Sequence, residues 1–246
     1  MIERPLHTAR LVHQEWLSRS SETKHLVFAI DELEQFNFTA GQFISMVAPR
    51  DGKTITRAYS LASAPRMNEF DLCLNRVEEG FFSNFLCDMK EGETVKFHGP
   101  HGTFVLRTPL RDSILIATGT GIAPIRGFVQ WLFADDSRHQ GREVHLVYGT
   151  RYPVDIYYKD YFDLVAHDFP NFHYMITLSR APDEWTGQRG YVQDQVRKIL
   201  TARPESERTN MDAYVCGLND MISATRKMLK EELGWDRKQI IYERYD

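Results

Sequence analysis

The run Arg57-Ala58-Tyr59-Ser60-Leu61-Ala62-Ser63 places a cation, an aromatic face and two hydroxyls in one strand-like stretch. Arg57 and Tyr59 stand two apart, as do Tyr59 and Leu61, the spacing that puts side chains on one face of a strand. An arginine beside a phosphate makes charge-assisted hydrogen bonds. A tyrosine offers a flat face to an aromatic heterocycle, and a serine hydroxyl can donate to a ring nitrogen. Those are the requirements of a flavin nucleotide. Taken alone, the same residues suit a half-exposed strand equally well, so the rest of the chain has to decide.

Three further stretches bear on it. Thr118-Gly119-Thr120-Gly121 closes the apolar run SILIATG and opens a helical stretch, with Pro124 where a first helical turn tolerates a missing N–H. Glycines there permit a tight turn and close backbone approach, and helix-start N–H groups attract phosphate oxygens. The spacing differs from the three-glycine dinucleotide fingerprint. The strand–loop–helix context favours dinucleotide phosphate over an ordinary turn. In EEGFFSNFL, Gly80 and Ser83 lie where a loop becomes a short helix, a second such place. Near the end, Cys216-Gly217 closes a buried-type strand, and Glu243 and Tyr245 stand two apart.

The elements that must hold these residues divide into two kinds. HTARLVHQEWL, TKHLVFAI, QFISMVAP, RAYSLASA, EFDLCLNRV and ETVKFHGP are strand-like runs punctuated by Pro, Gly, Asn and Asp, with one helical segment, FSNFLCDM. In EFDLCLNRV the alternation of Phe70, Leu72 and Leu74 predicts a half-buried strand. Six short strands at close spacing predict a small antiparallel barrel. After residues 107–112 strand alternates with helix: SILIATG, APIRGFVQWLFAD, EVHLVYGT, KDYFDLVAHD, FHYMITLS, YVQDQVRKILTAR, DAYVCG, NDMISATRKMLKEEL and QIIYER. That pattern predicts a parallel sheet covered on both faces. The expected domains are 1–108 and 109–246.

Composition excludes several classes. The chain has 42% hydrophobic and 26% charged residues and a net charge of −4, with twelve Lys/Arg against fourteen Asp/Glu up to residue 110. Nucleic-acid binding needs dense positive charge, and neither half has it. MIERPLHTAR has no apolar leader core, and no run is long enough to span a bilayer. Cys73, Cys87 and Cys216 lie far apart, too few for a cysteine-ligated iron–sulfur cluster or a closed cysteine zinc site, and read as reduced thiols of a cytoplasmic protein. His98 and His101 in HGPHG read as a plain turn, so no metal site is expected.

Together, and in this order, the motifs resemble the ferredoxin–NADP(+) reductase family over nearly the whole chain. RAYSLAS resembles its flavin motif, GFFS its flavin pyrophosphate loop, GTGIAP its NADP pyrophosphate loop, and YVCG and YERY the segments flanking the nicotinamide. The resemblance implies a six-stranded Greek-key barrel carrying FAD and a Rossmann-like domain carrying NADP(H), with NADH possible. It places Arg57 at the flavin phosphate, Tyr59 on the isoalloxazine and Ser60 near its N5. Gly80 and Ser83 would hold the flavin pyrophosphate, and Thr118, Gly119, Thr120 and Gly121 that of NADP. Cys216 and Glu243 would border the hydride path, with Tyr245 stacked over the flavin.

Thr150 and Arg151 end the second parallel strand, on the side where such sheets take ligands. Ser179, Arg180, Arg189 and Tyr191 match the positions that hold the 2′-phosphate and adenine. Asp246, beyond the terminal tyrosine, departs from the family pattern. The implied activity is hydride transfer between NADP(H) and FAD, with single electrons passing to or from ferredoxin or flavodoxin. A flavin reductase or the reductase component of an oxygenase is the alternative on the same fold. A non-catalytic nucleotide-binding regulator is a third reading, which the intact flavin motif argues against.

Overall fold

A computed structural model describes residues 5–245 of the chain. Asp246 lies outside the described residues. The chain forms two compact units. One runs to Leu106 and takes in Arg126–Trp131; the other comprises Arg107–Ile125 and the chain from Leu132.

The first unit holds six antiparallel strands: β1 (Leu6–Ser18), β2 (Thr23–Ala29), β3 (Phe43–Arg50), β4 (Lys53–Ser60), β5 (Glu69–Asn75) and β6 (Thr94–His101), with helix α1 (Phe81–Asp88) between the last two. Their order is β4-β3-β6-β1-β2-β5, a Greek-key arrangement. The two edges meet where Leu61 pairs with Leu72 and the Ala62 N–H donates to the Asp71 carbonyl at 2.8 Å, which closes the barrel. Leu11, Leu26, Phe28, Ile44, Met46, Phe70, Leu72 and Phe97 fill it.

The predicted alternation of β5 is only half of what is found. Phe70 to Leu74 are all buried, including Asp71, because charged partners rather than water face its second side. HGPHG is the end of β6 and not a turn: His98 Nδ1 lies 2.8 Å from the Pro5 carbonyl oxygen, and His101 pairs with Phe43 of β3.

The second unit is a six-stranded parallel sheet. Its strands are β7 (Ser113–Thr118), β8 (Val144–Thr150), β9 (Phe172–Leu178), β10 (Gln188–Arg189), β11 (Asp212–Leu218) and β12 (Ile240–Tyr245), ordered β10-β9-β8-β7-β11-β12. Between them run α2 (Ile122–Leu132), α3 (Asp136–His139), α4 (Lys159–Asp168), α5 (Val192–Thr201), α6 (Glu205–Arg208) and α7 (Asn219–Lys227), the last extended by a π-helical turn, Met228–Glu232. Ile114 and Ile116 of β7 and Val215 of β11 pack with Val196, Leu200, Ile222 and Leu229, so a parallel sheet reads as near-continuous apolar runs. The short β10, α3 and α6 carry no periodicity that predicts them.

Candidate functional site

Each unit carries a set of the expected residues. In the first, β4 lies against β3 with Met46 opposite Arg57, Ile44 opposite Tyr59 and Phe43 opposite Ser60. Arg57 is exposed, Tyr59 is half-buried against the barrel core, and Ser60 is buried. Alternation puts Arg57 and Tyr59 on one face and Ser60 on the other. Burial pushes the Tyr59 phenol up, with the Arg57 charge working against it. The ring is therefore a neutral aromatic surface beside a cation.

Gly80 is the N-cap of α1 and has no side chain to cap it. A Cβ there would stand 2.4 Å from Ser83 Oγ. That hydroxyl accepts from the Val77 N–H at 3.1 Å and donates to the Gly80 carbonyl at 3.2 Å. Ser83 thus shapes the loop with its side chain, and what this loop offers an anion is the backbone at the start of α1. Asn84 and Arg76 brace it further: Asn84 Nδ2 donates to Val77 and Gly80 carbonyls, and Arg76 donates to Asn84 and Asp88.

Sequence reasoning missed the network that fixes the exit of β4. Asp71, 1% exposed, accepts from Arg66 at 2.7 Å and from Arg126 at 2.8 Å. Arg126 also donates to the Ala62 carbonyl at 2.6 Å, and Ser63 Oγ accepts from the Asp71 N–H at 3.1 Å. Arg126 is 55 residues from its partner, and nothing in the local sequence marks it.

In the second unit β7 ends at Thr118, and Gly119–Gly121 form a 3-10 turn into α2. Gly119 has φ +54°, and a Cβ on Gly121 would meet the Cys216 carbonyl oxygen at 2.3 Å. Glycine at 121 is therefore what lets this loop lie on the end of β11. Thr118 Oγ1 is buried with no hydrogen-bond partner among the described residues, while Thr120 is half-buried. An orphaned hydroxyl and backbone donors at a glycine turn fit a dinucleotide pyrophosphate.

β11 pairs with β12 so that Cys216 stands opposite Glu243 and Leu218 opposite Tyr245. Cys216 is fully buried, and burial holds its thiol well above the ordinary range. The Glu243 carboxylate adds to this, and the Tyr245 hydroxyl opposes it. The thiol is protonated at neutral pH, a soft uncharged wall rather than a nucleophile. Cys216, Glu243 and Tyr245 are thus brought together.

At the other strand ends, the Ser179 N–H donates to the Thr150 carbonyl at 3.0 Å and the Arg180 N–H to the Arg151 carbonyl at 3.1 Å. These bonds draw Thr150, Arg151, Ser179 and Arg180 side by side. Arg180 is exposed and reaches the Tyr152 hydroxyl at 3.3 Å, with Tyr191, 63% exposed, close enough to be felt electrostatically. Tyr152 was not singled out from the sequence, although it follows Arg151 directly.

Arg189, expected at the 2′-phosphate, is bonded to its own loop. Its guanidinium donates to the carbonyls of Ala181, Pro182, Asp183 and Trp185 at 2.8–3.1 Å, which shapes the 181–185 loop. Arg180 and Arg151 remain as the cations with capacity for a phosphate.

The chain matches the oxidoreductase FAD-binding domain family over residues 8–106 and the oxidoreductase NAD-binding domain family over residues 115–227. It is 37% identical to ferredoxin–NADP reductase B of Sorangium cellulosum over 252 aligned residues, covering 100% of both chains. It is 33% identical to the 2-halobenzoate 1,2-dioxygenase electron transfer component of Burkholderia cepacia, over 87% of this chain and 60% of that one. Its fold matches the crystal structure of a ferredoxin NADP+ reductase from Neisseria gonorrhoeae with bound FAD and NADP, at TM-score 0.83 and 18% identity over 98% of this chain and 99% of that one.

Proposed function

The chain belongs to the ferredoxin–NADP(+) reductase family, and from that premise we propose that it exchanges electrons between NADPH and a one-electron carrier protein, ferredoxin or flavodoxin. It is an FAD- and NAD(P)-binding oxidoreductase. A bound flavin would supply the exchange between two-electron hydride transfer and one-electron transfer.

The protein's own residues do the positioning. Arg57 and the start of α1 supply positive charge and N–H donors to the flavin nucleotide's phosphates, and Tyr59 supplies a neutral flat face. The Gly119–Gly121 turn cradles the second pyrophosphate. Its contact with the Cys216–Gly217 backbone carries the reading: a glycine turn with free N–H groups lies beside Cys216, Glu243 and Tyr245, which supports a phosphate cradle there. A nicotinamide at that strand end meets a neutral thiol and a carboxylate. Glu243 favours the positively charged oxidised ring over the neutral reduced one.

Arg180, with Tyr152 and Tyr191 near it, supports a preference for NADPH: a guanidinium fork matches a dianionic phosphate, and a flat adenine suits two exposed tyrosines. The three free, buried cysteines support a cytoplasmic setting. Among the described residues no helix is long and apolar enough to cross a membrane.

Similarity to the dioxygenase component favours a second reading, in which the acceptor is an oxygenase partner. Steady-state reduction of ferredoxin, flavodoxin and free flavins, each with NADPH and NADH, tests both. Ferredoxin or flavodoxin should give the highest kcat/KM, with NADPH ahead of NADH. Faster reduction of free flavin than of either carrier would overturn the proposal.

A further inference from the structure

Three side chains outside this site converge at the opposite end of the parallel sheet. His145 and His173 are direct partners in the β8–β9 register, so both project from the same face of neighbouring strands. Their rings stack at 4.4 Å with a 21° interplanar angle. Glu143, just before β8, brings Oε2 to 2.6 Å from His173 Nε2. One donor atom from each of the three lies within 4.8 Å of the others. His145 is the second residue of β8 and Thr150 the last, which separates the cluster from the nucleotide-binding end by about 16 Å along the strand.

We propose that Glu143, His145 and His173 form a site for a borderline divalent cation of the zinc or nickel class. Two imidazoles and one carboxylate are the donor set such ions prefer, and three protein ligands leave room for water. At tetrahedral angles, ligands about 2.1 Å from one ion stand about 3.4 Å apart, so the widest-set pair has to close by up to about 1.4 Å. That closure splays the two stacked rings so that their in-plane lone pairs converge.

Two hydrogen bonds oppose it: His173 Nε2 has to give up the proton it shares with Glu143, and Arg203 holds His145. Arg203 donates to His145 Nε2 at 2.6 Å, which leaves that nitrogen as the lone-pair atom of a neutral ring, the form a cation requires. Arg203 and the cation therefore compete for one atom. Glu207, 4.0 Å from Arg203, gives the displaced guanidinium a partner.

Cobalt(II) is the probe, because its visible bands report coordination by nitrogen and oxygen, and zinc should displace it. The full-length, FAD-loaded protein should take up one equivalent. His173→Ala and Glu143→Gln should each lower affinity about tenfold or more. Both side chains are 40–45% exposed, so both variants should fold. Arg203→Gln should raise affinity several-fold, and His98→Ala, at a histidine outside the cluster, should change nothing. NADPH-dependent turnover should be unaltered in His173→Ala, which keeps this test distinct from the proposed activity. Absence of saturable uptake, or uptake that survives His173→Ala, would overturn the site. Unchanged affinity in Arg203→Gln would overturn coordination through His145 Nε2.

Discussion

Asp71 should be the most consequential single carboxylate of the barrel unit. Its side chain is 1% exposed and bridges Arg126, 13% exposed, and Arg66, 42% exposed. The two arginines lose different amounts when Asp71→Ala removes the carboxylate. Arg66 can turn to water or to Glu69, 3.1 Å away, so its share is that of a surface pair, about 0–1 kcal/mol. Arg126 is left as a buried cation that keeps its bond to the Ala62 carbonyl but has lost its carboxylate. Breaking a buried pair in this way costs about 3–5 kcal/mol. Asp71→Ala should therefore lower the free energy of unfolding by about 3–5 kcal/mol and Arg66→Ala by no more than about 1 kcal/mol. The double variant Asp71→Ala/Arg126→Ala leaves no orphaned charge, so it should be less damaged than the sum of the single variants. Urea denaturation at neutral pH with saturating FAD measures all four. Because the network also holds Ala62 and Ser63, Asp71→Ala should retain less flavin through gel filtration. A loss below about 1 kcal/mol in Asp71→Ala, or strict additivity in the double variant, would refute a buried ion pair as the support of this strand exit.

Other substitutions separate readings that the structure has made distinct. Arg180→Ala should raise KM for NADPH at least about tenfold while leaving KM for NADH nearly unchanged. Arg189→Ala should instead weaken both cofactors together, because it releases the 181–185 loop; steady-state kinetics that show the reverse pattern would exchange their roles. His25 is buried beside Asp71, and burial pushes its pKa down to about 4; the Asp71 carboxylate pulls against this, and the Arg126 and Arg66 charges add to it. An unfolded histidine protonates near 6.5, so between about 6.5 and 4 the unfolded chain binds the extra proton and stability falls as pH falls. The His25 contribution is on the order of 3 kcal/mol, and His25→Gln should flatten the urea midpoint against pH over that window. Tyr245→Ser should bind nicotinamide dinucleotides more tightly and discriminate less between NADPH and NADH, since it clears the ring from the Cys216–Glu243 edge. Unchanged affinity by titration would show that the ring does not compete there.

Local chemistry was legible wherever a residue's role depends on its own neighbours. The Thr118–Gly121 turn could be read because strand, glycine and helix start are consecutive. The two-apart spacing of Glu243 and Tyr245 was enough to put both on one face of β12. The change of period near residue 110 marks the passage from strand pairs to strand–helix pairs, which leave different patterns. The short elements β10 and α6 escaped because two to four residues carry no period. The HGPHG stretch was misjudged for a related reason: glycine and proline mark turns on average, but here they end β6, where β3 supplies a pairing partner 50 or more residues away.

What could not be read was which acceptor a given donor would find. Arg180 and Arg189 are the same residue type in the same segment, and both suited a phosphate. They differ because the chain turns sharply between Ala181 and Trp185 and presents four carbonyls to Arg189, whereas Arg180 precedes the turn and faces outward to Tyr152. Arg126 shows the same dependence in reverse. It lies in α2, one turn past the Gly119–Gly121 turn, yet it bonds at the exit of β4, since Asp71 is buried there by the closing of the barrel. His145 and His173 are alike in this respect, for the register of β8 with β9 alone makes them neighbours. In each case the side chain's chemistry is fixed by its type and its function by a backbone contact made far along the chain. A charged residue in a motif is therefore best assigned by asking which acceptors its own loop already supplies, and only then which ligand it could hold.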